Sequence, residues 1–294
     1  MLQNFFQLNE VEAASDIASE EDLLTLLQNH DRIENAIYRA DTFQPRRPRN
    51  VIRNRTFNNV SFRSTLFRDV EFRDCTFEDC LFVGSEFNRC EIHRSIFRGC
   101  NLHKARLVDT YIDPALLIGV FDPTRHANIG VWVFQQLRSN SLNTHQPYFF
   151  QIADWEFRRW LRFELLSEVA RGARRRHEVF GAVVHNWAYE FFMGYGHSLT
   201  RFGFTSLALF VGVLEFNCWF WETGVSDLVM NEKVAAADPV SRTIYYSVVT
   251  LTTLGYGDVT PASSGGMLVA AGEALLGLIW LGTLTSVIVK KLFR

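Results

Sequence analysis

The sequence lacks the residue patterns on which enzymes commonly rely. It contains no catalytic constellation, no phosphate-binding glycine loop and no calcium-binding loop. We therefore predict no enzymatic activity and no cofactor. A strong charge of one sign is also missing, since the net charge is −2 over 294 residues. A near-neutral chain lacks the field that steers proteins to nucleic acid, so no nucleic-acid partner is expected.

A cleavable leader is missing as well. The opening MLQNFFQLNE has no basic region followed by a small-residue cleavage site, which are the marks of a signal peptide. We expect the chain to begin unprocessed.

Long apolar runs are present, although a mean hydropathy of −0.01 hides them. Residues 1–198 are polar and charged, whereas 199–221 and 265–289 are apolar and reach the roughly 20 residues needed to cross a bilayer. Trp219 and Trp221 close the first run and suit the aromatic belt of a membrane interface. Two membrane-spanning helices are predicted; the alternative is two core helices of a soluble protein.

The charges that flank these runs predict the orientation of the chain. Arginines precede the first run and basic residues follow the second, whereas acidic residues outnumber basic ones between them. Because basic residues stay on the cytoplasmic side, both termini are expected in the cytoplasm of a multi-pass cell-membrane protein, with 222–264 outside. The flanking basic residues are Arg171, Arg174, Arg175, Arg176, Arg201, Lys290, Lys291 and Arg294.

A short helix is predicted between the two runs. Asp238 and Pro239 suit the N-cap and the first position of a helix, and VSRTIYYSVVTL follows without a breaker. This helix, about 239–251, is too short to span and is predicted to be re-entrant. The irregular TTLGYGD follows at 252–258, and such backbone is tolerated at membrane depth only inside protein or beside water.

The glycines of this segment indicate an ion pathway. A row of carbonyls can replace the water around a potassium ion only if consecutive peptides point inward. That requires alternating backbone handedness, which Gly255 and Gly257 permit. The negative carboxyl-terminal end of the preceding helix favours a cation at the same place. The predicted filter is Thr253, Leu254, Gly255, Tyr256 and Gly257, with K+ at Thr253, Leu254, Gly255 and Tyr256.

The same segment resembles the potassium-channel signature T-x-x-T-x-G-Y-G-D, with Leu254 where valine is more usual. The resemblance covers roughly 199–294 and is to the two-helix pore of bacterial potassium channels. It implies a homotetramer in a lipid bilayer that conducts K+ passively. It also implies that an aromatic pair braces Tyr256. The residues implied to support the filter are Thr250, Tyr245, Tyr246 and Asp258.

The resemblance implies a gate as well. Gly277 lies 19 residues after Asp258, where related pore-lining helices bend, and Gly282 is a second candidate hinge. The alternative is that glycine permits close helix packing at these positions. Many relatives carry a glutamate where this chain has Val249, so we expect Asp258 to rely on Tyr245 instead.

Gly-Tyr-Gly also occurs at 194–196, in MGYGHS, but this copy meets none of these conditions. It has no threonines before it, and it precedes the first span rather than lying between two. We predict a turn where a cytoplasmic helix meets the membrane.

The polar part of the chain has a five-residue period, which fits neither a helix face nor a simple strand. A mostly small residue lies two positions before each apolar one. The pattern resembles pentapeptide-repeat proteins, which implies a right-handed quadrilateral β-helix with both positions buried. The apolar positions are Phe57, Phe62, Phe67, Phe72, Phe77, Phe82, Phe87, Ile92, Phe97, Leu102, Leu107, Ile112 and Leu117.

Four of the five cysteines occupy the small inward position, and we interpret them as packing thiols. A metal site would need ligands at closer spacing. Cys80 and Cys100 lie one coil apart, which leaves a redox role as the alternative. His93 and His103 are expected to face solvent without a role.

The repeats are interpreted as an assembly or spacer module, with a sensor that regulates the pore as the alternative. Nine basic and nine acidic residues balance between 55 and 114, which argues against DNA mimicry. We predict a potassium-selective channel with a cytoplasmic repeat domain. The alternatives are a poorly selective cation channel and a membrane-tethered scaffold whose repeats bind a partner protein.

The predicted domains follow from these patterns. A cap helix is predicted over SEEDLLTLLQNHDRIENAIY, with Ser19 as its N-cap. The arginine-rich segment QPRRPRNVIRNR is expected to be exposed to solvent; the alternative is that it contacts anionic lipid. Residues 120–198 are predicted to be helical, with a break near 143–147. The segment RGARRR within them lacks the spacing of arginines that a voltage sensor needs. The domains are 1–49, a helical cap and arginine-rich linker; 50–119, the β-helix; 120–198, helical; and 199–294, the all-α pore.

Overall fold

A computed structural model describes Leu8 and residues 15–46, 50–222 and 228–292. The chain divides into two compact units, Met1–Trp187 and Ala188–Arg294. The first contains short strands followed by helices, and the second is mainly helical. The predicted fold class is therefore confirmed.

The first unit is built on short parallel strands that stack into a four-sided coil. Phe57 pairs with Phe77, and Phe77 with Phe97, so coils repeat every 20 residues. Three sides are sheets, and the fourth is a line of single bridges. The strands are β1 (Ser15–Ile17), β2 (Arg32–Tyr38), β3 (Thr42–Phe43), β4 (Val51–Arg53), β5 (Thr56–Ser61), β6 (Leu66–Arg68), β7 (Glu71–Arg73), β8 (Thr76–Glu78), β9 (Glu86–Asn88), β10 (Glu91–His93), β11 (Ile96–Arg98), β12 (Arg106–Val108) and β13 (Tyr111–Ile112).

Phenylalanine rings fill the interior of the coil. The rings of Phe57 and Phe77 stack with their centroids 5.0 Å apart, and so do those of Phe77 and Phe97. All predicted apolar positions are buried except Leu107, which is half-buried. The small positions are buried too, apart from Ala115, which lies beyond the last strand.

The corners of the coil have left-handed backbone. Positive φ recurs at every fifth residue from Asn54 to Asp109, mostly at asparagine, aspartate or glycine. These residue types tolerate that conformation best. At Gly99 an added Cβ would also lie 2.1 Å from an Asp79 carboxylate oxygen, so a larger residue there would require the Asp79 side chain to move.

Charged side chains on the outside of the coil pair between neighbouring turns. Arg89 donates two hydrogen bonds of 2.8 Å to Asp69, and Arg94 donates bonds of 2.7 and 2.8 Å to Asp74. The hydrogen bond from Arg89 lowers the pKa of Asp69. This local pairing accounts for the balanced charge of the repeats. Such exposed pairs add little to stability.

The cysteines of the repeats pack inside the coil. The thiol of Cys80 donates to the Phe57 carbonyl at 3.4 Å, and that of Cys100 donates to the Phe77 carbonyl at 3.3 Å. Burial raises the pKa of the Cys80 thiol, and it raises that of the Cys90 thiol to about 11, which disfavours the reactive thiolate. The packing interpretation is therefore supported over the redox one.

The coil begins earlier than predicted. Helix α1 (Glu20–Asn29) is capped by Ser19, whose hydroxyl accepts a backbone N–H at 3.2 Å. The prediction that this helix continues to Tyr38 is wrong, because β2 pairs with β5 as part of an additional coil. The five-residue period does not extend to that coil, because the arginine-rich insert separates its inward positions Phe43 and Ile52 by more than five residues.

Helices α2 (Ala127–Asn143) and α3 (Pro147–Ala170) follow the coil, and the predicted break falls between them. Asn140 of α2 closes the last coil. Its Nδ2 donates to the Thr110 carbonyl at 2.6 Å, and its Oδ1 accepts from the Thr110 N–H at 3.0 Å. The side chain thus makes the hydrogen bonds that a further strand would make.

Replacing Asn140 by alanine should destabilise the first unit by roughly 1–3 kcal/mol, because a buried peptide group of Thr110 loses its partners. Thermal unfolding followed by circular dichroism measures the effect. Asn143→Ala is the matched control, since Asn143 is exposed on the same helix. Equal stability of the two variants would contradict the capping role.

The second unit contains two helices long and apolar enough to cross a membrane, over Leu199–Trp221 and Ser264–Val289. They lie within α5 and α8. The predicted re-entrant helix is α7, called the pore helix below, and it begins and ends where the sequence indicates. The elements from α4 onward are α4 (Arg176–Met193), which crosses from one unit to the next, α5 (Leu199–Glu222), β14 (Leu228–Met230), α6 (Glu232–Ala235), α7 (Pro239–Leu251), β15 (Val259–Pro261) and α8 (Ser264–Leu292).

The first Gly-Tyr-Gly copy forms a turn between α4 and α5. Gly194–Gly196 is a 3-10 turn in which Tyr195 has a φ of +54°. The Tyr195 ring is fully buried and lies 5.7 Å from the ring of Tyr189. The prediction of a turn is confirmed.

Candidate functional site

Helix α7 leads directly into the candidate filter. The Asp238 carboxylate accepts the Ser241 N–H at 2.9 Å, and Pro239 occupies the first helical position. The helix ends at Leu251, where its aligned peptide dipoles place partial negative charge. This end of the helix adjoins the filter and favours a cation there.

The backbone of the candidate filter alternates in handedness. The φ angles are +58° at Thr253, +54° at Gly255 and +76° at Gly257, with residues outside the left-handed region between them. Glycine adopts this conformation freely, but it strains a β-branched threonine. Backbone strain of this kind clusters at functional sites.

The side chains of the filter lack cover in the single chain. Leu254 is 58% exposed and Tyr256 is 67% exposed. Of the predicted aromatic pair, Tyr245 lies near Tyr256. Tyr246 packs instead against Trp221, with ring centroids 5.5 Å apart. In the single chain the side chains of Leu254 and Tyr256 therefore stay largely exposed.

Asp258, directly after the filter, is held by the pore helix. The Tyr245 hydroxyl donates to its carboxylate at 2.6 Å, and this hydrogen bond raises the pKa of Tyr245 to about 12. Val249, where relatives carry a glutamate, is buried. Its carbonyl accepts the Leu254 N–H at 3.1 Å. Thr250, also on the pore helix, accepts the Thr253 N–H through its carbonyl at 3.0 Å.

The Tyr245→Phe variant should lose filter stability, because phenylalanine cannot donate to Asp258. We expect current to decay several-fold faster during sustained opening, as measured by patch-clamp recording of reconstituted protein. Tyr148→Phe is the control, because it removes a tyrosine hydroxyl from an exposed position in the first unit. Unchanged decay in Tyr245→Phe would contradict a supporting role for the bond.

Residues 207–294 match the family model described as an ion channel. The match covers most of α5, the pore helix, the candidate filter and α8. These residues form an ion-channel domain. Residues 28–115 match the model described as the SV2A/B/C luminal domain, and that match contains β2 to β13. No solved structure matches the chain.

The ion-channel domain brings α8 against the pore helix at a glycine. A Cβ on Gly277 would lie 1.8 Å from the Leu251 carbonyl oxygen, so glycine is needed for this close approach. No atom lies within 4 Å of the corresponding point on Gly282. Helix α8 is continuous, and a hinge at either glycine stays a prediction.

A polar cluster that no sequence pattern predicted lies inside the ion-channel domain. Glu273 of α8 is only 6% exposed. Asn217 of α5, also buried, donates from Nδ2 to the Ser247 hydroxyl of the pore helix at 2.8 Å. The signal that could have found the cluster is the lone ionisable residue within the run 265–289, because such residues face the protein interior.

Among the described residues, Glu71, Glu91 and His93 have ligand atoms within 4.8 Å of one another. They lie on the outer face of the coil. Arg73 forms an ion pair with Glu71, and the His93 Nε2 bonds to Glu91 at 2.9 Å. Because these groups already have partners, we assign no metal to them.

Proposed function

We propose that the protein is a potassium-selective channel in which four copies of the chain surround one pore. The observation that carries this proposal is the alternating handedness at Thr253, Gly255 and Gly257, in an ion-channel domain with two membrane-length helices. No catalytic step and no cofactor are involved, and K+ moves passively down its gradient.

Selectivity in this proposal comes from backbone carbonyls. The carbonyl oxygens of residues 253–256 replace the hydration shell of K+, and the hydroxyl of Thr253 adds an innermost ligand. The carboxyl-terminal end of α7 contributes partial negative charge. Asp258 and Tyr245 hold the outer end of the filter through their 2.6 Å hydrogen bond.

The exposed filter supports assembly into a tetramer. Leu254 and Tyr256 leave apolar and aromatic surface uncovered in a single chain, and burying such surface favours association. Fourfold symmetry places four filter segments around one axis, as potassium selectivity requires. Neighbouring copies then cover the side chains, while the carbonyls face the axis.

The flanking charges support a location in the cell membrane with both termini in the cytoplasm. The repeat unit then lies inside the cell, where it acts in assembly or regulation, and the filter opens to the outside. Basic clusters near the first span provide sites for anionic lipid. Gly277 and Gly282 remain candidate hinges of the gate.

Reversal potentials of the full-length protein in planar bilayers test the proposal. With K+ on one side and Na+ on the other, a selective channel gives a potential near that expected for K+ alone. A potential near zero would indicate a poorly selective cation channel. No current from a correctly folded tetramer would favour the membrane-tethered scaffold.

Removal of residues 1–187 should leave a selective pore with altered open probability or weaker assembly. The cut follows the boundary of the first unit, because α2 and α3 share one hydrophobic core with the coil. A cut between the coil and α2 would expose that core and confuse the result. Single-channel recording measures the open probability, and size-exclusion chromatography measures the assembly. If both equal those of wild type, the repeats neither gate nor assemble the channel, and partner binding becomes the better account of them.

A further inference from the structure

Glu273 is buried where α8, α5 and the pore helix meet, and neither of its carboxyl oxygens has a hydrogen-bond partner among the described residues. The Asn217 side chain lies beside the carboxyl, outside hydrogen-bond geometry. The Asn217 Oδ1 and the Tyr246 hydroxyl also lack partners there. Four buried polar atoms from three helices are therefore close together and unsatisfied.

A single proton on Glu273 would provide a hydrogen-bond donor for these acceptor atoms. The carboxylate oxygens and the Asn217 Oδ1 can only accept hydrogen bonds, whereas a protonated carboxyl donates one bond and still accepts another. Small side-chain rotations would let the protonated Glu273 donate to Asn217 and accept from Tyr246. An ionised carboxyl in this place is a buried charge without a counter-charge, which is costly.

No charged group among the residues that the structure describes compensates Glu273. On α7, Tyr246 is near enough to sense the carboxyl charge, while Arg242, one turn earlier, makes no hydrogen bond to it. On α5 the facing group is the neutral Asn217, and Arg201 and Glu215 are exposed. Within Ser264–Val289 of α8 no other residue is ionisable.

We propose that Glu273 is a proton-binding site behind the filter and that conduction requires its protonated form. The proposal rests on the proposed channel function. The site is coupled to the filter in two ways. Tyr246 lies one turn before Thr250, where the signature begins, and its side chain lies near that threonine. Gly277, one turn from Glu273, holds α8 against Leu251 at the end of the pore helix.

The expected direction of the pH effect follows from proton linkage. The packed helices hold a proton that the carboxyl of an unfolded chain releases at neutral pH. The packing of α5, α7 and α8 therefore loses stability as pH rises, because Glu273 must then release its proton. Conduction should be highest at low pH and should fall as pH rises through the titration of Glu273.

Potassium flux from liposomes that contain the full-length protein tests the site between about pH 5 and pH 9, values that bracket the neutral range. We expect wild-type flux to fall by at least about tenfold as pH rises. Glu273→Gln, a neutral group of the same shape, should conduct across the range without this fall. Glu215→Gln is the matched control from α5 and should keep the wild-type pH dependence.

Infrared spectroscopy tests proton binding without any conduction. The carbonyl stretch of a protonated carboxyl should be present in wild type at low pH, fade as pH rises, and be absent from Glu273→Gln. If Glu273→Gln fails to fold, Asn217→Asp provides a second test. Its added carboxyl should move the wild-type midpoint to higher pH, because two neighbouring carboxyls resist double ionisation.

The outcomes separate the two proposals. The infrared band together with pH-independent flux would overturn the coupling of the proton to conduction. Loss of flux with rising pH that persists in Glu273→Gln would overturn the site. A band that behaves as expected in a protein that never conducts would support the proton site and reject the channel function.

Discussion

Replacing Gly257 by alanine should abolish the preference for K+ over Na+ or stop conduction altogether. Gly257 has a φ of +76°, a conformation that costs an alanine roughly 1–2 kcal/mol. In a tetramer the cost is about 4–8 kcal/mol, since every copy carries the change. We expect the backbone to rotate out of the alternating arrangement, so that carbonyls no longer line the axis.

Reversal potentials under K+ and Na+ gradients measure the effect of Gly257→Ala, and we expect the permeability ratio to fall at least about tenfold, the result of losing 1.4 kcal/mol of discrimination. Gly203→Ala is the control, because Gly203 has helical backbone in α5 and no atom within 4 Å of an added Cβ. An unchanged ratio in Gly257→Ala would reject the filter as assigned. A fall in both variants would point to general disruption.

Local patterns explain why much of the fold could be predicted. The five-residue period from Phe57 to Leu117 identifies the coil, because each side of a square coil needs one inward apolar residue. Asp238 and Pro239 mark the start of the pore helix through capping, which depends on adjacent residues alone. The break between α2 and α3 is likewise local, since Pro147 begins the second helix.

The features that were missed depend on contacts between distant residues. β2 is indistinguishable from a continuation of α1 until β5 is available as its partner, 24 residues later. No sequence pattern distinguishes Asn140 from the other residues of α2, and only its hydrogen bond to Thr110 shows that it caps the last coil. The proximity of Glu273 to Asn217 requires α5 and α8 to pack together, which sequence periodicity does not report.

Gly277 raises a question that sequence alone left open, whether it is a hinge or a packing contact. Its added Cβ would lie 1.8 Å from the Leu251 carbonyl oxygen and 2.6 Å from the carbonyl carbon. These are backbone atoms at the end of the pore helix, so no side-chain rotation can relieve the clash. We therefore expect Gly277→Ala to push α8 away from the pore helix and so disturb the adjoining filter.

The expected result for Gly277→Ala is a loss of roughly 1–3 kcal/mol of stability per chain, the usual cost of overpacking, with weaker tetramers and little potassium flux. Gly282→Ala is the matched control on the same helix, because no atom lies within 4 Å of its added Cβ. Heating in detergent followed by sizing measures assembly, and liposome flux measures conduction. A hinge would behave differently: Gly277→Ala would assemble as firmly as wild type and change only its open probability. That outcome would reject the packing role and leave Gly277 as the bending point of the gate.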